Sequence, residues 1–478
     1  MPIHPTLPVD GDTRWTTAIW ILLVVTCGAL FLDGLDISMV GVALPSIGRN
    51  LHLSASALQW IVSGYVLGYG GLLLLGGRAS DLLGRRSVFL TAVTVFGVAS
   101  VVSAFLSNDA ALIAMRFIKG ASAAFTVPAG LSIITTTFAE GIARNRALSI
   151  YTVCGASGFS LGLVFGGLLT ELGWRATFLV PGPIALALVA AGFRVIPRAT
   201  RSRVSLGHFD LFGALTGTAG LMLLVFTVVE APSRGWLSAG TLSGLVATAL
   251  LLLTFVAIER RHPHPLLRLG ILRSASLVHA NLAGAVMFGG YMSFQFVATL
   301  YLQDSLHWSP LAMAMGFLPT GLIVVASSTR MASILERFET TNLIAGGLAA
   351  FLLGYLLFLR VNPGMPYVDF LLPTMVLLGV GFALCFPSIN SQATAGVADS
   401  EQGLASGLVN TSIQVGGAIV LAVTTAIIGP GATAAHQGQL LPGMTTAITV
   451  VAGISLVGLA FTMVRMSKRR VVEPQLVH

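Results

Sequence analysis

Charged residues are scarce in this chain of 478 residues: they make up 9% of it, against about 25% in a soluble domain. Hydrophobic residues make up 55%, and the mean hydropathy is +0.89. This excess of apolar surface excludes a single soluble core. Apolar runs recur along the chain at roughly 20 residues each, the length of a helix that crosses about 30 Å of hydrocarbon. Long strands of alternating polarity are absent, which argues against a β-barrel.

Cysteine and lysine are scarcer still. Cys27, Cys154 and Cys385 all fall in apolar runs without disulfide or metal spacing, so we expect them to be packing residues. Only two of the 26 basic residues are lysines, and the pattern G-x-x-x-x-G-K-[ST] is absent, which excludes a P-loop ATPase. His279 is the one histidine near a helix interior, too little for a membrane-embedded enzyme. We therefore expect neither enzyme activity nor a cofactor.

The apolar runs predict an all-α membrane protein with fourteen transmembrane helices. Their predicted ranges are 16–44, 56–76, 87–106, 110–137, 145–169, 176–196, 210–230, 238–258, 275–302, 310–330, 341–360, 367–390, 404–428 and 443–466.

We expect these helices to form two bundles with an insert between them. Residues 16–196 are predicted to form an N-terminal six-helix bundle, and residues 275–466 a C-terminal one. Residues 197–274 then hold two inserted transmembrane helices with cytoplasmic linkers. The remaining segments, 1–15 and 467–478, are predicted cytoplasmic tails.

The distribution of basic residues orients the predicted helices. With a cytoplasmic N-terminus, 20 of the 26 basic residues lie inside, four lie outside, and Arg116 and Lys119 lie in the membrane. This bias follows the positive-inside rule and places both termini in the cytoplasm. The net charge of +8 comes from basic residues in short loops between the helices, so we expect no nucleic-acid binding.

A faint internal repeat relates predicted helices 4 and 12. The run FTVP ends at Pro128 and precedes Glu140 by 12 residues; the run LCFP ends at Pro387 and precedes Asp399 by 12. Chance similarity in such a biased sequence is the alternative. Repeated halves with a site at their interface are a common transporter design.

Two aspartates lie inside the first predicted helix, at Asp33 and Asp36. A carboxylate in hydrocarbon costs several kcal/mol, so it is rarely present without a function or a partner. One turn apart, the two face the same way and repel each other when both are ionised. We hypothesise that they form one charge cluster with Arg116 and Lys119 of predicted helix 4. The alternative for Asp33 is a hydrated position near the outer surface.

The segment from Gly77 to Arg86 has the pattern G-x-x-x-D-x-x-G-R-R between predicted helices 2 and 3. Its glycines allow a sharp turn, and its aspartate can pair with a neighbouring arginine or helix N-terminus. Positive-inside charge alone explains the arginines but not the aspartate or the glycine spacing. The candidate residues of this conformational loop are Gly77, Asp81, Gly84, Arg85 and Arg86.

Four segments together resemble one family. The loop from Gly77 resembles the signature of the major facilitator superfamily, and 112–120 resembles its helix 4 motif with a buried arginine. The segment 158–167 resembles the helix 5 motif of antiporters, and 35–45 the helix 1 motif of drug:proton antiporters with fourteen spanners. The resemblance covers the whole chain. It implies the major facilitator fold and a proton-driven exporter of drugs, antibiotics or other amphipathic molecules.

The helix 5 motif departs from the family pattern at Leu163, where a proline usually shapes a hinge. In helix 1, Ser38 and Gly41 replace the usual threonine and asparagine. The glycines of the antiporter motif are retained at Gly158, Gly162, Gly166 and Gly167.

Two further departures explain each other. The family aspartate aligns with Asp36, so Asp33 is extra, and Lys119 replaces a glutamine. An added lysine in helix 4 compensates for an added carboxylate in helix 1. The resemblance implies that Asp36 couples transport to protons and that Arg116 belongs to a proton relay. A purely structural pair between Asp36 and Arg116 is the alternative.

Polar and aromatic residues inside helices of the second half are candidates for substrate binding. They are Tyr291, Gln295, Asn390, Gln392, Asn410 and Gln414. For each of them, a bond to a neighbouring helix is the alternative. No acidic residue lies mid-helix in predicted helices 9–14, since Asp304 falls at an end. This favours neutral or singly charged amphipathic substrates.

We therefore predict a multi-pass antiporter of the bacterial inner (plasma) membrane that works by alternating access. Its expected partners are the lipid bilayer, a small amphipathic substrate and protons, without ATP, and we expect a monomer. The resemblance further implies that the loop at Asp81 latches the outward-open form. The alternative function is proton-linked export of one host metabolite, such as a self-made antibiotic, because the fold does not fix the substrate.

Overall fold

A computed structural model describes residues 15–138, 142–198, 210–263, 265, 267–395, 397, 402–429 and 439–472. Within these ranges the chain is almost entirely helical. The fifteen α-helices are α1 (Thr17–Leu51), α2 (Ala55–Leu83), α3 (Arg85–Phe105), α4 (Asp109–Thr137), α5 (Ile142–Leu172), α6 (Arg175–Leu179), α7 (Pro181–Val195), α8 (Leu211–Arg234), α9 (Ala239–Arg261), α10 (Ala275–Leu300), α11 (Pro310–Arg337), α12 (Thr340–Phe358), α13 (Tyr367–Thr394), α14 (Gln402–Ile428) and α15 (Met444–Val472).

These helices account for the fourteen predicted spans. Helices α1–α5 are the first five, α6 and α7 together form the sixth, and α8–α15 are the rest. In the part of the chain that the structure describes, thirteen helices are long and apolar enough to cross a membrane, and α2 has a shorter apolar stretch at Ala57–Leu73. A π-helical turn, Tyr301–Ser305, extends α10. The predicted all-α membrane fold is confirmed.

The segment between α2 and α3 differs from its prediction. Most of the expected loop is helical, because α2 continues to Leu83 and α3 begins at Arg85. Gly84 alone separates them, with φ +88°, a conformation that glycine adopts without the steric cost of a side chain. The two helices are therefore longer than predicted, and the sharp turn expected between them is made at Gly84.

The chain folds into two compact units. The first consists of Met1–Leu53, Trp60–Met222 and Thr248–Leu266. The second consists of Ser54–Gln59, Leu223–Ala247 and Leu267–His478. Residues of α8 and α9 are divided between the two, while the predicted bounds of the bundles and the insert stay a prediction.

In the first unit, α1 packs closely on α5. Three glycines one turn apart on α5 meet three residues one turn apart on α1. The contacts join Gly158 to Phe31, Gly162 to Leu35 and Gly166 to Met39. A Cβ added at Gly166 would lie 2.8 Å from the Cα of Met39. Small residues thus bring the two backbones together, as in other membrane helix pairs, and this packing positions the acidic part of α1.

The second unit is built around α10, whose described residues are mostly buried. Its partners include α13, α14 and α15. Glycines again permit close packing: a Cβ added at Gly416 of α14 would lie 2.5 Å from the Cα of Ala285 on α10. Aromatic rings fill the space beside α10 and α12, with the centroids of Phe294 and Phe358 4.9 Å apart in an edge-on contact.

Candidate functional site

Asp36 lies at the centre of a buried charge cluster formed by α1 and α4. Each carboxylate oxygen accepts from a different cation: Oδ2 from Nη1 of Arg116 and Oδ1 from Nζ of Lys119. The three side chains are at most 2% exposed. The two cations are three residues apart on α4 and therefore face α1 together. One carboxylate thus serves as the counter-ion of two cations.

Both cations are held by further contacts. Nε of Arg116 donates to the carbonyl oxygen of Ile61 at 2.9 Å, and its guanidinium carbon lies 4.5 Å from the ring centroid of Tyr65. Nζ of Lys119 lies 4.7 Å from the ring centroid of Phe96. Aromatic faces attract cations, most strongly where water is excluded. Arg116 thereby links α1, α2 and α4, which supports a structural contribution from this residue whatever its role in transport.

Asp33 lies one turn before Asp36 and is 6% exposed, which does not fit the alternative of a hydrated surface position. Its carboxylate accepts a hydrogen bond from the hydroxyl of Tyr65. Among the described residues, neither Arg116 nor Lys119 forms an ion pair with it; both pair with Asp36. The structure therefore brings the four predicted residues together, but the added lysine pairs with the family aspartate and not with the extra one.

A small cavity of about 10 Å³ lies beside Asp33, about the space of one water molecule. Asp33 and Thr126 are its polar lining residues. The other lining residues are Ala29, Leu32, Val93, Phe96 and Ala123. The hydroxyl of Thr126 donates to the carbonyl oxygen of Ser122 at 2.9 Å and can still accept a hydrogen bond from a molecule in the cavity.

The predicted helix 5 glycines lie where α5 meets α1, as described above, and Gly167 is buried nearby on α5. Leu163, at the position of the family proline, is 1% exposed. In the predicted conformational loop, Gly77 is helical, and the side chain of Asp81 lies outside the described residues. Arg86 donates to the carbonyl oxygens of Ile196 at 2.8 Å and Phe193 at 2.7 Å. These oxygens are at the C-terminal end of α7, where a cation is favoured.

The predicted substrate residues of the second unit have mixed surroundings. The amide nitrogens of Asn390 and Asn410 donate to carbonyl oxygens four residues earlier in their own helices, at 2.8 and 3.0 Å. Tyr291, Gln295 and Gln414 are buried. The Oε1 atom of Gln414 accepts no hydrogen bond from any described residue. These side chains are thus placed inside the unit, and their part in substrate binding stays a prediction.

Gln392 has a structural partner that the sequence did not reveal. Its amide nitrogen lies 2.7 Å from Nδ1 of His279 and 3.3 Å from the carbonyl oxygen of Ser276. Nε2 of His279 lies 2.9 Å from Oγ1 of Thr462. The network joins α10, α13 and α15, so for Gln392 the alternative of a bond between helices is correct.

Tyr65 is the residue of the charge cluster that the sequence analysis missed. It is 1% exposed, and its hydroxyl contacts Asp33 while its ring contacts Arg116. A buried tyrosine hydroxyl usually has a hydrogen-bond partner. A tyrosine within the apolar run of predicted helix 2 was therefore the available signal.

The sequence model of the Major Facilitator Superfamily matches residues 26–421. The chain belongs to this superfamily. The puromycin resistance protein pur8 of Streptomyces alboniger is 36% identical over 469 residues, which are 94% of this chain and 92% of that protein. The cephamycin export protein CmcT of Amycolatopsis lactamdurans is 34% identical, over 92% of this chain and 93% of that one.

A solved transporter structure agrees in fold. The POT family transporter PepTSo has a TM-score of 0.69 with 15% sequence identity, over 96% of this chain and 99% of its own. The match of the sequence model confirms the major facilitator resemblance that the motifs carried. As a member of the superfamily, the chain is a membrane transporter of small molecules.

Proposed function

We propose that this major facilitator transporter exports antibiotics or other amphipathic small molecules in exchange for protons. The export of antibiotics is supported by relatives that align over nearly the whole chain and are named as puromycin resistance and cephamycin export proteins. The proton coupling is supported by one observation above all: the buried cluster of Asp33, Asp36, Arg116 and Lys119. Ionisable residues inside a membrane protein commonly belong to proton relays.

The charges of the cluster suggest how a proton and a substrate compete. With both carboxylates ionised, the two acids balance Arg116 and Lys119, and the formal charge is zero. Uptake of one proton leaves a charge of +1, which repels a cationic substrate in a low-dielectric site. Proton binding and substrate binding then favour different states of the transporter, which is what exchange by alternating access requires.

The remaining properties belong to the same proposal. The protein lies in the bacterial inner membrane with both termini in the cytoplasm, as the basic residues indicate. It works as a monomer without ATP, a cofactor or an enzymatic step, and the proton is its coupling ion. Asp81 and its segment stabilise the outward-open state.

A narrower function is the second candidate. The relatives' names each refer to a single antibiotic, puromycin for one and cephamycin for the other. These names favour a transporter that exports one compound, such as an antibiotic made by its own host.

Everted membrane vesicles with an acidic interior test the proposal. We expect vesicles that contain the wild-type chain to accumulate ethidium, a lipophilic fluorescent cation, or puromycin, and to lose this accumulation when the pH gradient is collapsed. Asp36→Asn should abolish it. The matched control is Asp369→Asn, the same substitution at an exposed carboxylate in the first turn of α13. Accumulation that persists after the gradient collapses contradicts proton exchange; accumulation of puromycin but not ethidium favours the narrower function.

A further inference from the structure

We propose that Asp33, and not Asp36, is the carboxylate that binds and releases the transported proton. Asp36 is then the fixed counter-ion of Arg116 and Lys119. This inference rests on the proposed proton-coupled export and names the residue that carries the proton.

The contacts of Asp36 make it a poor site for an exchangeable proton. Both of its oxygens accept from a cation, and all three side chains are buried. A proton added to Asp36 would leave Arg116 and Lys119 without their counter-ion inside the protein. Removing one partner from a buried ion pair is strongly unfavourable. A proton on Asp36 would therefore disrupt the ion pairs that join α1 to α4.

The contacts of Asp33 allow both protonation states. Its partner among the described residues is the neutral hydroxyl of Tyr65, so a proton on Asp33 breaks no ion pair. The ionised form accepts from this hydroxyl, and the protonated form keeps one oxygen that can accept from it. A group whose two forms are both satisfied by the same partner can exchange a proton without rearranging the helices.

The surroundings of Asp33 act in opposite directions on its two forms. Burial disfavours the ionised carboxylate, whereas the +1 charge that remains on Asp36, Arg116 and Lys119 favours it. The residues of α3 that lie beside Asp33 are apolar: Val93 and Phe96. The titratable groups that face Asp33 from the packed helices are Asp36 on α1, Tyr65 and Tyr69 on α2, Arg116 and Lys119 on α4 and Tyr151 on α5.

The cavity beside Asp33 supplies the place for a proton carrier. It has room for about one water molecule and is lined by the carboxylate and by Thr126. A water there can accept a hydrogen bond from the protonated Asp33 carboxyl and donate one to the hydroxyl oxygen of Thr126. A cavity water can therefore reach Asp33 without disturbing the ion pairs of Asp36.

Infrared spectroscopy of the purified full-length chain tests the assignment without any substrate. We expect the wild type to gain the carbonyl band of a protonated carboxylic acid as the pH is lowered. The other carboxylates of the chain also contribute to this band, and Asp33→Asn should remove one pH-dependent component of it. The variant Asp36→Asn/Lys119→Gln, which removes one charge of each sign and leaves Arg116, should keep it. A band that is absent from the wild type, or unchanged by Asp33→Asn, overturns the assignment.

Transport by the same variants separates the two proposals. In everted vesicles, Asp33→Asn should lower the gradient-driven accumulation of ethidium or puromycin to the level of empty vesicles. It should retain exchange of labelled for unlabelled substrate, which needs no proton. If the wild type accumulates neither compound, the proposed function fails, and the infrared result still decides Asp33. If Asp33→Asn accumulates substrate like the wild type, the assignment fails and proton-coupled export stands.

Discussion

The two units each bury a polar network, and the networks differ in charge. In the first unit, two cations share one carboxylate, while a second carboxylate accepts a hydrogen bond from a tyrosine hydroxyl. In the second unit, His279 lies between Gln392 and Thr462, whose side chains carry no charge. The hydrogen bonds of His279 link three helices of the second unit and involve no carboxylate. A network that can gain or lose a unit charge can favour different arrangements in its two forms.

The difference shows what marks a functional site in this fold. Burial and hydrogen bonding are common to both networks, so neither property identifies transport residues. Within the first network, Asp33 is the side chain whose protonation changes the local charge without breaking an ion pair of the described residues. We expect the first network to govern the coupling of transport to protons and the second to govern the stability of the fold.

The largest effect is expected from Asp36→Asn. It leaves Arg116 and Lys119 buried without their counter-ion, which costs about 3–5 kcal/mol. We expect a large loss of thermal stability in detergent, together with the loss of all transport modes. Adding Lys119→Gln should restore part of the stability because one buried charge is then removed. Equal stability of the single and double variants would show that Lys119 does not depend on Asp36.

The next largest effect is expected at the glycines of α5 that contact α1. Gly162→Ala adds a Cβ that would lie 2.6 Å from the carbonyl oxygen of Leu35, so the helices must separate. Overpacking of this kind costs about 1–3 kcal/mol. Gly453→Ala is the matched control, since a Cβ at this helical glycine of α15 meets nothing within 4 Å. The free energies of unfolding of the two variants should differ by this amount. Equal free energies would mean that a methyl group fits between α1 and α5 without separating them.

A smaller effect is expected in the second network. His279→Leu removes the ring that accepts from Gln392 and contacts Thr462. Hydrogen bonds between membrane helices are worth about 1–2 kcal/mol at most, so we expect a loss of stability of this size. The gradient-driven accumulation per folded molecule should equal that of the wild type. If His279→Leu is stable but has lost proton coupling, His279 belongs to the proton path. The two networks would then not differ in function.

The sequence predicted the helices and the members of the charge cluster well, because both depend on which residues stand in apolar runs. The sequence did not predict which residues of the cluster pair with each other. Whether Lys119 contacts Asp33 or Asp36 depends on the rotation and relative height of α1 and α4, which the glycine contacts with α5 and the bond from Arg116 to Ile61 help to set. A single sequence does not specify such distances.

The structure of the segment between α2 and α3 was also only partly predictable from the sequence. Its glycines indicated a turn, yet Gly77 is helical and Gly84 alone has a positive φ. Glycine serves both for turns and for close packing between helices. Gly76 illustrates the second use, since it contacts the backbone of Ala124 on α4. Spacing along the chain does not distinguish these two uses.

The smallest and sharpest effect is expected from Tyr65→Phe, which removes only the hydroxyl that contacts Asp33. A hydrogen bond stabilises an ionised carboxylate more than its neutral form. The variant should therefore fold and transport, and the pH midpoint of the Asp33 component of the infrared band should change by roughly one unit, the equivalent of about 1.4 kcal/mol. Tyr69→Phe, in the same helix, is the control and should leave the midpoint in place. An unchanged midpoint in Tyr65→Phe would mean that the band belongs to another carboxylate and that Asp33 does not set the charge of the first network.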